Sequence, residues 1–309
     1  MSSTLSALAP VFGLIVVGYV LKARGLFGAD FWEPAERLTF YFLFPALLVS
    51  KIGGAEIAGL RALPMAAAMI TATLLMAVAL MVVPRFRQGD QGGPRFVALL
   101  QGAIRPNTYV GLAAAYALFG TAGLTLAAAA IVAVIPLVNF ISIIALLRWT
   151  AATHSAKPGW GAALVASLKN PIIIACVLGA FLNFTGFGLP PVVGPILDTL
   201  GSAALPLGLM AVGAGLNFEA VHARRSTITQ AVVLKLAVMP GLTYAACWAY
   251  GVSGVSQTVA VMFAALPVAA GSYVMTRQMG GDGPLMAGII TATTITAGVT
   301  LPVVILLAG

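Results

Sequence analysis

Residues 99–114 read LLQGAIRPNTYVGLAA, and the four in the middle, Ile104, Arg105, Pro106 and Asn107, decide how the whole chain is to be read. They sit inside an apolar segment that runs from about Phe96 to Phe119. A charge, a helix breaker and an amide stand side by side where a continuous oily helix would otherwise run. The fold turns on what surrounds this segment and on whether the break has a counterpart.

The surroundings are oily throughout. The chain has 309 residues, 61% of them hydrophobic and only 8% charged, and its mean hydropathy is +1.04. A soluble domain carries about a quarter charged residues, so the expected class is an all-α polytopic membrane protein embedded in a lipid bilayer. Ten apolar runs are long enough to span: about 4–23, 34–52, 61–83, 95–119, 123–148, 160–183, 194–217, 227–250, 256–279 and 284–307. The connectors are short, and no basic run is interleaved with aromatics. The net charge of +8 therefore belongs to loops and not to a nucleic-acid surface. Cys176 and Cys247 read as small buried hydrophobes, and His154 and His222 as separate loop residues. Charges follow the first apolar run instead of preceding it, so the expectation is a retained first helix and not a cleaved signal.

With the N-terminus outside, the inner-face loops hold twelve of the sixteen basic residues, from Lys22 and Arg24 to Arg224, Arg225 and Arg277. The outer face holds Lys51 and Arg61, and Arg105 and Lys235 fall inside spans. The positive-inside rule then places both termini outside.

A shift of 161 residues aligns the punctuation of the chain with itself. Pro10 meets Pro171, Gly18 meets Gly179, Gly25 meets Gly186, Pro45 meets Pro206, Gly54 meets Gly215, Pro106 meets Pro267 and Gly120 meets Gly281. Two halves of five spans follow, residues 1–150 and 160–309. An odd number of spans inverts the second half. This is an inverted-topology repeat, the architecture of secondary transporters.

The repeat pairs the break at Pro106, in the fourth span, with one at Pro267, in the ninth. Each proline removes the N–H that would bond the carbonyl four residues back, at Gly102 and Phe263. Broken helices survive in hydrocarbon only where they line protein or a wet cavity. If each proline starts a new half-helix, the N–H groups of Asn107, Thr108 and Tyr109, and those of Val268, Ala269 and Ala270, point at the midplane. Helix N-termini favour anions, and Arg105 adds a full positive charge that is costly in a membrane unless used. The binding site expected from this comprises Arg105, Pro106, Asn107, Thr108, Tyr109, Pro267, Val268, Ala269 and Ser272. Lys235 and Asn139 are further candidates, each with a structural alternative: a snorkelling stem for the lysine, helix–helix bonding for the asparagine. The hydroxyls Thr291, Thr293, Thr294, Thr296 and Thr300 read mainly as helix-bonding residues.

All eight acids fall at span ends or in loops, which argues against a carboxylate-based antiporter or sodium symporter. No Walker loop, zinc-binding helix or nucleophile elbow is present, so no enzyme, cofactor or metal is expected.

Five stretches carry a family resemblance: RLTFYFLFPALLVSKI (37–52), GAIRPNTYVGLAAAYALFG (102–120), KNPIIIACVLGAFLNFTGFGLP (169–190), LGSAALPLGLMAVGAGL (200–216) and LKLAVMPG (234–241). Together they resemble the auxin efflux carrier family, which includes the plant PIN carriers and many bacterial transporters. The resemblance implies two inverted five-helix repeats with crossing fourth and ninth helices, a fold like that of sodium–proton antiporters and bile acid symporters. It implies a scaffold of the first, second, sixth and seventh helices that forms a homodimer. A mobile transport domain of the other six would move as an elevator. It also implies an organic anion substrate, and Asn107 matches an asparagine that contacts the substrate carboxylate in PIN carriers. The ninth span departs, with VAAGSY after Pro267 and no asparagine. The expected location is a bacterial inner (plasma) membrane. Sodium-coupled symport on the same fold, and a ligand-binding sensor or channel, stand as alternatives.

Overall fold

The computed structural model describes residues 2–55, 61–83, 92–150 and 169–309. The basic residues Arg85, Arg87 and Lys157, His154 and the first part of the 160–183 run lie outside them. The described residues are helical, with no strand among them. Helix α1 spans Ser2–Ala23, α2 Trp32–Leu38, α3 Phe44–Gly53, α4 Ala62–Val82, α5 Gly92–Ile104 and α6 Thr108–Trp149. Then come α7 (Pro171–Thr185), α8 (Val193–Ser202), α9 (Ala204–Ala214), α10 (Phe218–Ala223) and α11 (Arg225–Val233). The last are α12 (Met239–Ala249), α13 (Gly254–Ala264), α14 (Gly271–Gln278) and α15 (Gly283–Ala308). Six helical stretches among the described residues are long and apolar enough to cross a membrane, and α7 and α13 are shorter apolar helices. His222 falls in the short helix α10 and not in a loop.

Local sequence explains where the helices bend. The 42-residue α6 is interrupted at Gly120, whose φ of 58° and ψ of −142° no L side chain adopts readily. Five-residue π turns join α2 to α3 at Thr39–Leu43 and α11 to α12 at Leu234–Val238. Each lies just before a proline, Pro45 or Pro240, whose ring would press on the carbonyl four residues back. That carbonyl, of Tyr41 or Leu236, lies inside the widened turn, which makes room for it.

The chain divides into two compact units. The first holds residues 1–62, 108–132 and 168–216. Within it α1 packs along α9, and α7 along α3. Between membrane helices the association comes from close van der Waals packing, which small residues permit. A Cβ added at Gly18 would collide with the main chain of Met210, and one at Gly213 with that of Ile15. At Gly179 it would lie 3.0 Å from the Ile52 Cβ and 3.2 Å from the Leu48 carbonyl oxygen. Side chains then close helix ends that water would otherwise serve. Lys22 Nζ donates to the Ala214 carbonyl at 2.7 Å. Asn183 Nδ2 donates to the carbonyls of Ile52, Gly53 and Ala55 at 3.1, 3.3 and 2.7 Å.

The second unit holds residues 63–107, 133–167 and 217–309. Its core joins Ala98 and Leu99 of α5 to Ile228 and Ala231 of α11, Val268, and Leu285, Met286 and Ile289 of α15. Gly102 permits the close approach, since a Cβ there would meet the Ile289 side chain at 2.9 Å. Asp282 caps α15 by accepting from the Leu285 N–H at 3.0 Å, and it pairs with Arg224 at 2.8 Å.

Candidate functional site

The two breaks meet inside the second unit. Helix α5 stops at Ile104 and the chain resumes as helix at Thr108. Helix α13 stops at Ala264, and α14 begins at Gly271. Between them Pro106 and Val268 form an antiparallel β-bridge. The Asn107 N–H donates to the Pro267 carbonyl at 2.8 Å, and the Ala269 N–H to the Arg105 carbonyl at 3.4 Å.

This corrects the expected geometry. The prolines do not open half-helices; they lie in a short extended crossing, before the helix starts. Proline pushes its predecessor toward extended backbone, so Arg105 and Leu266 leave the helix path. In the crossing, Pro106 occupies a position whose own N–H the ladder does not use, so its missing donor costs nothing there. The Val268 N–H, which points away from the ladder, donates to Thr293 Oγ1 on α15 at 3.2 Å. The N–H groups of Asn107, Val268 and Ala269 are therefore engaged by protein acceptors and not presented to a ligand. A buried amide in a low-dielectric region takes any partner within reach, and the two breaks serve each other.

Arg105 keeps the role of a buried cation. It is 9% exposed, and its Nη1 contacts the Met275 thioether at 3.2 Å. Its Nε has no hydrogen-bond partner among the described residues, and no carboxylate pairs with it among them. Ser272 is fully buried, and its Oγ is without a hydrogen-bond partner among the described residues. Two residues absent from the sequence-based site join this group. Gln101, one turn before Arg105 on α5, donates from Nε2 to Thr276 Oγ1 on α14 at 3.0 Å. Gln101 Oε1 has no partner among the described residues. A polar residue four positions before Arg105 was the available signal, since positions i and i+4 share a helix face.

Lys235 faces away from this group. Lys235 is 1% exposed and lines a cavity of about 10 Å³ with Ile104, Pro106, Thr73, Thr243 and Phe263. That is room for about one water molecule. The residues on both sides of Arg105 thus face the lysine's cavity, while Arg105 itself reaches Met275. Thr73 and Thr243 donate their hydroxyls to the Met69 and Met239 carbonyls at 2.8 and 2.9 Å. Asn139 lies on α6 with its Oδ1 buried and lacking a partner among the described residues. Thr108 and Tyr109 belong to the first unit, where the Tyr109 ring stacks on Phe44 with centroids 4.7 Å apart. The threonines of α15 bond their own helix as expected: Thr291, Thr293, Thr294 and Thr300 donate to carbonyls three or four residues back. Thr291 also accepts from the Asn217 N–H at 2.9 Å.

Comparison with known proteins agrees with this picture of a membrane protein. The model of a family described as membrane transport protein matches residues 3–158 and 160–305. An uncharacterized transporter of Methanothermobacter thermautotrophicus is 26% identical over 305 residues, a match covering 98% of this chain and 97% of the relative.

Proposed function

The chain belongs to the membrane transport protein family, the auxin efflux carrier family, and from that premise we propose that it carries small organic anions, carboxylates, by alternating access around the crossover. It is an integral membrane transporter and not an enzyme. The observation that carries the substrate class is Arg105: a residue 9% exposed, its Nη1 against a thioether, with Nε unpartnered among the described residues. A buried cation left without an anion costs several kcal/mol. A carboxylate that binds it bidentately removes that cost.

The mechanism we propose is elevator-like. Support comes from the division of the chain: α1–α3 and α7–α9 fall in one compact unit and α4, α5 and α10–α15 in the other, while α6 is shared, residues 108–132 with the first and 133–149 with the second. The first set corresponds to the scaffold we assign, which would form the homodimer, and the second to the transport domain. Inverted repeats are supported by matched geometry at the 161-residue offset. Gly25 and Gly186 both adopt left-handed backbone, with φ of 63° and 68°. Gly18 and Gly179 both stand where a partner helix comes close. Ten spans, both termini outside and an inner-membrane location complete the proposal.

Uptake into proteoliposomes tests it. Wild type should accumulate a labelled carboxylate, and Arg105→Gln should weaken binding by about 10- to 100-fold, the value of one charge-assisted contact. Equal binding by the variant would refute the assignment. Uptake measured with and without sodium separates uniport or proton coupling from sodium symport.

A further inference from the structure

Resting on that reading, we infer that the cargo carries a hydroxyl beside its carboxylate, and that Gln101 and Ser272 select it. The end of α5 is joined to α14 by Gln101 to Thr276 at 3.0 Å, and Arg105, just past that end, by its contact with Met275 at 3.2 Å. Gln101 on α5 lies one turn before Arg105, whose N–H donates to the Gln101 carbonyl at 3.0 Å, and Ser272 is one turn before Thr276 on α14. Three polar groups on this seam have unsatisfied atoms among the described residues: Arg105 Nε, Gln101 Oε1 and Ser272 Oγ. Gln101 and Ser272 are both 0% exposed. Buried polar atoms in native proteins have partners as a rule, and three exceptions on one seam call for a ligand to complete them.

The chemistry of the three groups defines what completes them. The guanidinium takes the carboxylate. Gln101 Oε1 is an acceptor that repels a carboxylate and calls for a donor. Turning the amide over exchanges the unsatisfied oxygen for an unsatisfied N–H, and a hydroxyl satisfies either, since it donates and accepts. Ser272 Oγ takes whichever role remains. An ammonium donor is disfavoured: it would sit beside Arg105 with no carboxylate of the protein paired there among the described residues. A neutral hydroxyl on the carbon next to the carboxylate supplies the donor and acceptor that Gln101 and Ser272 call for while the carboxylate takes Arg105, which makes the preferred class 2-hydroxy carboxylates.

The test compares 2-hydroxypropanoate with propanoate, by calorimetry on the purified full chain. Wild type should bind the hydroxy acid at least about tenfold more tightly, because its absence leaves buried polar atoms unpaired. Gln101→Met, similar in length but unable to hydrogen-bond the hydroxyl, should lose the preference for the hydroxy acid over propanoate. A cooperative melting transition like that of wild type shows that the variant is folded. Should that variant fail to fold, Ser272→Ala, the smaller change, should reduce the preference in the same assay. Wild type binding both acids equally overturns the hydroxyl assignment and leaves the anion reading standing. Wild type binding neither overturns both. A preference undiminished in a folded Gln101→Met protein also overturns the assignment.

Discussion

Thr293→Val isolates the energetics of the crossover. The hydroxyl of Thr293 does two things: it donates to the Ile289 carbonyl at 2.8 Å and accepts from the Val268 N–H at 3.2 Å. Valine has nearly the same shape, so packing within the fully buried site is kept. The Ile289 carbonyl retains its helical partner, so that half of the loss is small. The Val268 N–H has no such reserve, because the ladder directs it away from the opposite strand. Its residue is 0% exposed, which keeps water from replacing the bond. An orphaned buried donor costs about 1–3 kcal/mol. The cost falls on the closed crossover, so the population of its opened form should rise by about 5- to 150-fold. Thr294→Val is the matched control: its hydroxyl is buried too and donates to the Ile290 carbonyl at 2.7 Å. Hydrogen exchange over residues 266–272 in detergent should accelerate strongly in Thr293→Val and little in Thr294→Val. Equal acceleration in the two, or none in the first, would mean that the crossover does not depend on this bond.

Other perturbations follow from the same geometry. Gly213→Ala should lower thermal stability, since its Cβ meets the Ile15 main chain and overpacking costs about 1–3 kcal/mol. Gly13→Ala, which meets nothing within 4 Å, should be neutral or stabilising in the same melting experiment. Lys235→Met should leave carboxylate affinity within about threefold of wild type by calorimetry, because a lost direct contact would cost about tenfold or more and the lysine faces the cavity behind Arg105. Asp282→Ala should reduce stability by about 0.5–2 kcal/mol through the lost α15 cap, seen as a lower melting temperature with unchanged substrate affinity.

The positions of the breaks were legible in the sequence because proline acts locally. Its missing N–H and its ring weaken a helix wherever it stands, although Pro10, Pro136 and Pro302 remain inside helices, and the 161-residue offset singled out the pair at Pro106 and Pro267. What the breaks do with their backbone was not legible. Whether an exposed N–H turns to a ligand, to a neighbouring carbonyl or to a hydroxyl depends on what lies within about 3 Å, and that is set by tertiary approach. The helix restarts at Thr108 and Gly271, two and four residues beyond the prolines, because pairing across the crossover outcompetes an early helical turn.

The two intramembrane cations show how the same limit sorts charge. In the sequence Arg105 and Lys235 look alike, each a lone charge in an apolar run, and both were candidates for the anion. Leaving the helix at Ile104 puts consecutive residues on opposite sides of an extended segment. Ile104 and Pro106 line the lysine's small cavity, so Arg105 projects the other way, toward Met275. On its side stand Gln101, Ser272 and Thr276, contributed by two helices whose residues are some 170 positions apart. No periodicity within either helix reveals that pairing. The break therefore ends two helices and also sorts the charges, placing one cation in a small cavity with two hydroxyls and the other among unsatisfied polar atoms.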